Sequence, residues 1–227
     1  MKEISILLPS LRPQSVERVI NEFTETNYDV DYEIVVVSPF HVKGKKVIWI
    51  KEDANRTGSV SATNVAHEHS TGIYVTYFSD DVHPTLGCLR EMLDFMKSKP
   101  SIFLGAFKMI RPSGGEIGPF GAYNRLYACY GCITNYAINL IGGLFHPSFV
   151  YSWCDIDLSL RCWTNKGTVE ICEKAQVIPI QIEDELYKKH RERYFERDAE
   201  TFLEKWHPIL GQGLERNQGV NKKLYVN

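Results

Sequence analysis

Four short apolar runs, each followed by a helical or turn pattern, constrain this chain most. "EISILLP" closes at Pro9, "YEIVVV" covers 32–37, "VIWI" covers 47–50 and "IYVTYF" covers 73–78. Runs of this length, rich in β-branched residues and lacking polar alternation, suit strands buried on both faces. "VERVINEF", "SVSATNVAHEHS" after Gly58, and "TLGCLREMLDFMKS" show helical spacing between and after them, the last with Pro84 near its start. Strands separated by helices predict an α/β fold, a mostly parallel sheet flanked by helices. Ligands of such sheets bind outside the carboxyl ends of the strands, where "LPSLR", "VVSPF" and "FSDDV" fall.

The second half reads differently. Residues 111–131 mix Gly and Pro with Phe120, Tyr123, Tyr127 and Tyr130, the pattern of a long functional loop or lid whose aromatics serve either as ordinary packing or as a binding surface. "CDIDLSLRCWTNKG" reads as a helix ending at Gly167, and "TVEICEKAQVIPI" as one or two strands. From Ile182 the chain reads as a charged helix with a solvated face, with Asp184 and Glu185 placed four residues before Lys188 and Lys189. No repeat or linker interrupts it, so residues 1–227 are expected to form a single domain, with a ligand-binding half (1–100) and a second half (101–227) that ends in the helical tail.

Composition excludes several classes. With 227 residues, 44% hydrophobic and 24% charged, the chain can bury a core without staples. A net charge of −2 gives no basic footprint for nucleic acid. No run approaches the length of a membrane-spanning helix, and "MKEISILLPSLRP" reads as a first strand and not as a signal peptide. The expected setting is cytoplasmic, with peripheral membrane contact left open and the oligomeric state unread. Six cysteines without regular spacing are expected to be reduced, although Cys129 and Cys132 form a single C-x-x-C. His67 and His69 turn to different faces of a helix, "GQG" at 211–213 lacks a preceding strand, no P-loop occurs, and the sequon at 55–57 is expected to be silent.

Two acidic groups carry the chemistry. Asp80 and Asp81, at the end of an apolar run, are placed to hold a divalent cation against a phosphate, since Mg²⁺ and Mn²⁺ need only one or two protein carboxylates when substrate oxygens complete the shell. A helix cap near Pro84 is the alternative. In "WCDIDLSLR", Asp155 and Asp157 face different directions on a helix. An Asp157–Arg161 pair at i,i+4 leaves Asp155 free to serve as a general base, and first-turn acids that only favour the helix dipole are the alternative.

Taken together, four segments in order resemble the family 2 glycosyltransferases of GT-A fold: "ISILLPSLRP" with "YEIVVVS", "GSVSATNVAHEHSTGIYVTYFSDDV", "GGLFHPSFVYSWCDIDLSLRCWTNKG" and "DAETFLEKW". The resemblance implies an inverting, metal-dependent transfer of a sugar from a nucleoside diphosphate donor, by family habit a UDP-sugar, to a carbohydrate or other hydroxyl acceptor, as in polysaccharide biosynthesis. It assigns Pro9, Ser10, Arg12, Ser38, Asn64, Ser79, Asp80 and Asp81 to the donor site. Asp81, with Asp80, is implied to hold Mn²⁺ or Mg²⁺. Asp155 aligns with the catalytic base, and Gly142, Gly143, Phe145 and Asp157 with the acceptor site. The sequence departs from the family at Ser38, where a base-reading acid is usual, at Ser79 for the first acid of the metal motif, and at Cys154 for a Glu. Gln181 and His190 stand near a late metal-ligand position. A non-catalytic nucleotide- or glycan-binding module is the alternative these departures favour.

Overall fold

The computed structural model describes residues 2–53, 58–180 and 182–211; the sequon at 55–57, Gln181 and the end of "GQG" lie outside them. In chain order the elements are β1 (Ile4–Pro9), α1 (Pro13–Thr26), β2 (Tyr32–Ser38), β3 (Val47–Lys51), α2 (Gly58–Glu68), β4 (Tyr74–Tyr77), β5 (Val82–Pro84), α3 (Cys88–Ser98), β6 (Ile102–Ile110), β7 (Glu116–Ile117), β8 (Gly121–Ala122), β9 (Arg125–Leu126), β10 (Gly131–Thr134), α4 (Asn135–Leu140), α5 (Cys154–Thr164), β11 (Thr168–Pro179) and α6 (Glu185–Leu210).

The main sheet runs β3-β2-β1-β4-β10-β6-β11-β5, with β7 on β6. All four apolar runs are strands, and β3-β2-β1-β4 is parallel throughout. The parallel arrangement holds in β3-β2-β1-β4 and again between β6 and β11, and the sheet beyond β4 is mixed. Strand β10 is antiparallel to both β4 and β6, and β5 and β7 are also antiparallel to their neighbours. The cause lies in the connection: β10 returns from the irregular 111–131 excursion and not from a crossover helix, so nothing imposes a parallel direction.

The pleat divides the core between two faces. Ile6, Leu8, Ile34 and Val36 pack with Val19 and Phe23 of α1 and with Leu89 and Met92 of α3. Leu7, Val35, Val37 and Tyr77 face α2, α5 and the inner side of α6, where Phe202 and Trp206 are buried. Strand β2 is buried along its whole length, which explains its unbroken apolar run.

Three helix readings shift. No helix starts at Pro84: that residue pairs in β5 against Val177, and α3 begins at Cys88 behind Gly87, whose φ is 70°. The cap reading for Asp80 and Asp81 falls with it. Helix α5 ends at Thr164, and the left-handed residue beyond it is Lys166, not Gly167. Gly167 is needed for space, because a Cβ there would stand 2.3 Å from the Phe103 ring. Helix α6 is not merely a solvated face. Asp184 caps it by accepting from the Tyr187 N–H at 2.8 Å and does not reach Lys188, while Lys188 meets Glu185 at 3.4 Å.

Candidate active site

The ends of β1, β3 and β4 open into a cleft of about 370 Å³, closed on its far side by the start of α5 and by α6. Its walls include Pro9, Ser10, Arg12, Glu52, Ser79, Asp80, Asp81, Phe145 and Asp155. It therefore forms where the sheet's strand order predicts a ligand crevice.

Asp80 and Asp81 leave β4 with different partners. Asp80 is buried and held from two sides: Ser10 Oγ donates to Oδ2 at 2.5 Å and Arg12 Nη1 to Oδ1 at 3.0 Å. Arg18 of α1 fixes the backbone around them by donating to the carbonyls of Asp80 at 2.9 Å and Val82 at 3.0 Å. Asp81 faces the cleft, and its side-chain partners among the described residues are hydroxyls: Ser79, which donates to Oδ1 in a short bond, and Tyr130 at 3.5 Å. Burial pushes the Asp81 carboxyl above its ordinary range, Ser79 draws it back, and neighbouring Asp80 adds to the rise. A carboxylate raised in this way gains from a cation.

That arrangement fits a divalent cation completed by substrate oxygens. Asp81 is turned outward, and Ser79 and Tyr130 orient it as outer-shell hydroxyls do. Asp80 is committed to Arg12 and supplies charge more readily than a ligand. Among the described residues no group of three His, Cys, Asp or Glu forms a self-sufficient cage, so a cation held there would depend on substrate oxygens and waters for most of its shell.

Asp155 enters from the first turn of α5. Trp153 precedes that helix with φ 66° and packs against Phe195 and Phe202 of α6. The approach is fixed by Asp198, buried on α6, which accepts the N–H groups of Val150, Tyr151 (2.7 Å) and Ser152 (2.9 Å). Burial raises the Asp155 carboxyl to about 6, against smaller pulls from backbone N–H groups and the Cys129 thiol. A carboxylate poised there can accept a proton near neutral pH.

The donor and acceptor assignments divide. Pro9, Ser10, Arg12, Ser79, Asp80, Asp81, Phe145 and Asp155 all line the cleft. Ser38 does not: it is fully buried. Asn64 grips the Phe145 backbone through bonds of 2.8 and 3.1 Å, so it shapes the site from behind. Gly142 and Gly143 have φ of 84° and 113° and form a turn whose Gly143 carbonyl accepts from Arg161; they lie off the cleft wall. Asp157 is corrected as an acceptor residue. It is fully buried and bound by Arg161 (2.8 Å), Lys205 (2.7 Å) and Trp206 Nε1 (2.9 Å). Its side chain holds α5 to α6 and faces away from the cleft.

Of the aromatic residues in the excursion, Tyr130 lines the cleft, while Tyr123 and Tyr127 are buried in the core. His67 and His69 make separate contacts, with Asn135 and with the Val65 carbonyl. Cys129 and Cys132 are free thiols. His190 does reach the cleft, between Tyr151 and Tyr194, and burial lowers its pKa. Sequence reasoning missed Glu52, Tyr151, Trp153, Tyr187, Arg191 and Phe195, all on the cleft wall. The seven-then-four spacing of Phe195, Phe202 and Trp206 marks an inner stripe on α6 that would have pointed to some of them.

Among the described residues no helix is long and apolar enough to cross a membrane. The family model "Glycosyl transferase family 2" matches residues 13–139. No curated protein matches the chain. Among solved structures, S. aureus TarS 1-349 in complex with UDP-GlcNAc superposes with a TM-score of 0.62 at 15% identity, covering 81% of this chain and 60% of that one. A second structure of S. aureus TarS 1-349 superposes with a TM-score of 0.61 at 15% identity, covering 99% of this chain and 76% of that one. The mannosyltransferase PcManGT from Pyrobaculum calidifontis, in complex with GDP-Man and Mn²⁺, gives a TM-score of 0.67 at 14% identity over 92% of this chain and 68% of that one. The fold is that of GT-A glycosyltransferases.

Proposed function

The chain belongs to glycosyl transferase family 2, and from that premise we propose that it moves a sugar from a nucleoside diphosphate donor to an acceptor hydroxyl with inversion. The observation that carries this reading is the placing of Asp81 and Asp155 on one cleft, both with carboxyls raised by burial. Asp81, backed by Asp80, is the residue that would hold Mn²⁺ or Mg²⁺ against the diphosphate. Bound there, the cation supplies Lewis-acid stabilisation of charge on the leaving group. Ser79 and Tyr130 fix the direction of the Asp81 carboxylate. Asp155 accepts the proton of the acceptor hydroxyl as that oxygen attacks the anomeric carbon from the face opposite the leaving group. A single displacement of this kind inverts the anomeric centre. Tyr151, Trp153 and Phe195 supply aromatic walls suited to the apolar face of a carbohydrate acceptor.

UDP leads the candidate nucleotides. A thermal-shift panel of UDP, GDP, CDP and dTDP, each with Mn²⁺ and with EDTA, tests the donor site. A nucleotide present at about 100 times its dissociation constant adds roughly 2.7 kcal/mol. Stabilisation only with metal supports the reading, and no response from any nucleotide overturns it. The commitment of Asp80 to Arg12 and the serine at 79 favour a second reading, a binding module without turnover. Slow donor hydrolysis to the free nucleoside diphosphate separates the two.

A further inference from the structure

The ends of β2 and β3 bear on which base the cleft admits. Ser38, at the end of β2, is closed on itself: its hydroxyl accepts from Trp49 Nε1 at 3.0 Å and donates to the Phe40 carbonyl at 2.6 Å, with the side chain fully buried. It offers nothing to a ligand. One strand further out, the Glu52 N–H donates to the Ser38 carbonyl at 2.9 Å. Glu52 thus sits directly beside the end of β2, and it lines the cleft together with Pro9, Ser10 and Leu11. Pro9 and Leu11 give apolar surface against which a flat base can lie. In the order β3-β2-β1-β4, three strand spacings, about 14 Å, separate the β3 end from the β4 end that carries Asp81. That distance is of the order of an extended nucleoside diphosphate laid across the strand ends.

We propose that Glu52 reads the base of the donor nucleotide and selects bases with an imino N–H (uracil, thymine or guanine) over cytosine and adenine. The proposal rests on the donor reading above. An ionised carboxylate only accepts hydrogen bonds. Uracil and thymine offer N3–H, and guanine offers N1–H beside its amino group. Cytosine and adenine carry a lone pair at the corresponding ring nitrogen, so a carboxylate oxygen aimed there meets another acceptor and only their exocyclic amino groups can donate. A hydrogen bond to a charged group is worth about 10- to 100-fold in binding.

Isothermal titration of the protein with UDP, GDP, dTDP, CDP and ADP in the presence of Mn²⁺ tests this, for the wild type and for Glu52→Gln. The wild type is expected to bind at least one of UDP, GDP and dTDP about tenfold more tightly than CDP and ADP. Gln offers both a donor and an acceptor, so Glu52→Gln is expected to bring the ratio close to one. Equal wild-type affinities overturn the proposal while leaving the donor site standing, and this comparison needs no variant. A preference that survives unchanged in Glu52→Gln also overturns it. Binding of no nucleotide overturns the donor reading and this proposal with it.

Discussion

Arg12 and Asp184 stand 172 residues apart in the chain and meet through two hydrogen bonds, Nε to Oδ2 at 2.7 Å and Nη2 to Oδ1 at 2.9 Å. The bidentate geometry ties the end of β1 to the cap of α6. The same guanidinium holds Asp80 through Nη1, so one arginine joins the nucleotide end of the sheet to the helix that closes the cleft. The pairing keeps Arg12 firmly charged and holds the Asp184 carboxyl at about 2, below its ordinary 3.8.

Asp184→Asn is therefore expected to loosen α6 at its start. A carboxyl depressed by folding contributes stability above its ordinary value, and that contribution is lost as pH falls from 3.8 towards 2. Asp184 is 39% exposed, so solvent screening limits the effect to about 1 kcal/mol, a melting shift of roughly 2–4 °C. Thermal melts at pH 7 should show the loss, and melts near pH 2 should show little difference between variant and wild type. Equal melting at neutral pH would mean that the pair contributes nothing.

Asp155→Asn is expected to raise stability while removing turnover. Folding raises the Asp155 carboxyl from 3.8 to about 6, so its ionisation destabilises the fold as pH rises through that interval and fully so above it. At 1.36 kcal/mol per pKa unit, the neutral amide should recover roughly 2–3 kcal/mol at pH 7.5 and almost nothing below pH 4. Loss of a placed base costs about 10²–10⁴-fold in turnover. In the wild type, kcat/KM should fall as pH drops through about 6. A variant that melts lower than wild type at pH 7.5, or that keeps its turnover, contradicts this account.

How far the sequence revealed all this depends on the kind of signal. Strands β1 to β4 were legible because unbroken β-branched runs have few alternative uses, and the crevice at their ends followed from strand order. The Asp157–Arg161 pair followed from helical spacing, which also separated Asp155 from Asp157. Other features depend on register or on distant partners. Ser38 is buried while Glu52, bonded through its N–H to the Ser38 carbonyl just past the end of β3, lines the cleft, a placement that neither run discloses alone. The inner stripe of α6 was hidden by charges at most other positions, and the burial of Asp198 by its partners 46 to 48 residues away. The antiparallel β10 was hidden because the excursion before it has no periodicity.

Asp157→Ala is expected to damage the fold without altering the cleft wall. The variant strands Arg161, which is 8% exposed, beside Lys205 with no carboxylate to balance them. Breaking a buried pair from one side costs about 3–5 kcal/mol. Denaturant unfolding should show a loss of that size, and nucleotide affinity measured on the folded fraction should stay near wild type. A selective loss of acceptor affinity with normal stability would instead return Asp157 to the acceptor site.

Asp81→Ala is expected to abolish the metal dependence of nucleotide binding. Asp81 is the acid of the pair turned to the cleft, whereas Asp80 is held by Ser10 and Arg12. Removing Asp81 deletes the ligand and leaves the Asp80–Arg12 pair in place. Titration of the preferred nucleoside diphosphate with Mn²⁺ and with EDTA should give a large ratio of affinities in the wild type and a ratio near one in the variant. Removing a buried, raised carboxyl should also leave the variant at least as stable at pH 7, so a fall in affinity cannot be assigned to unfolding. Should the ratio persist in Asp81→Ala, the cation is held by Asp80 instead, and the Arg12 pairing must open to admit it.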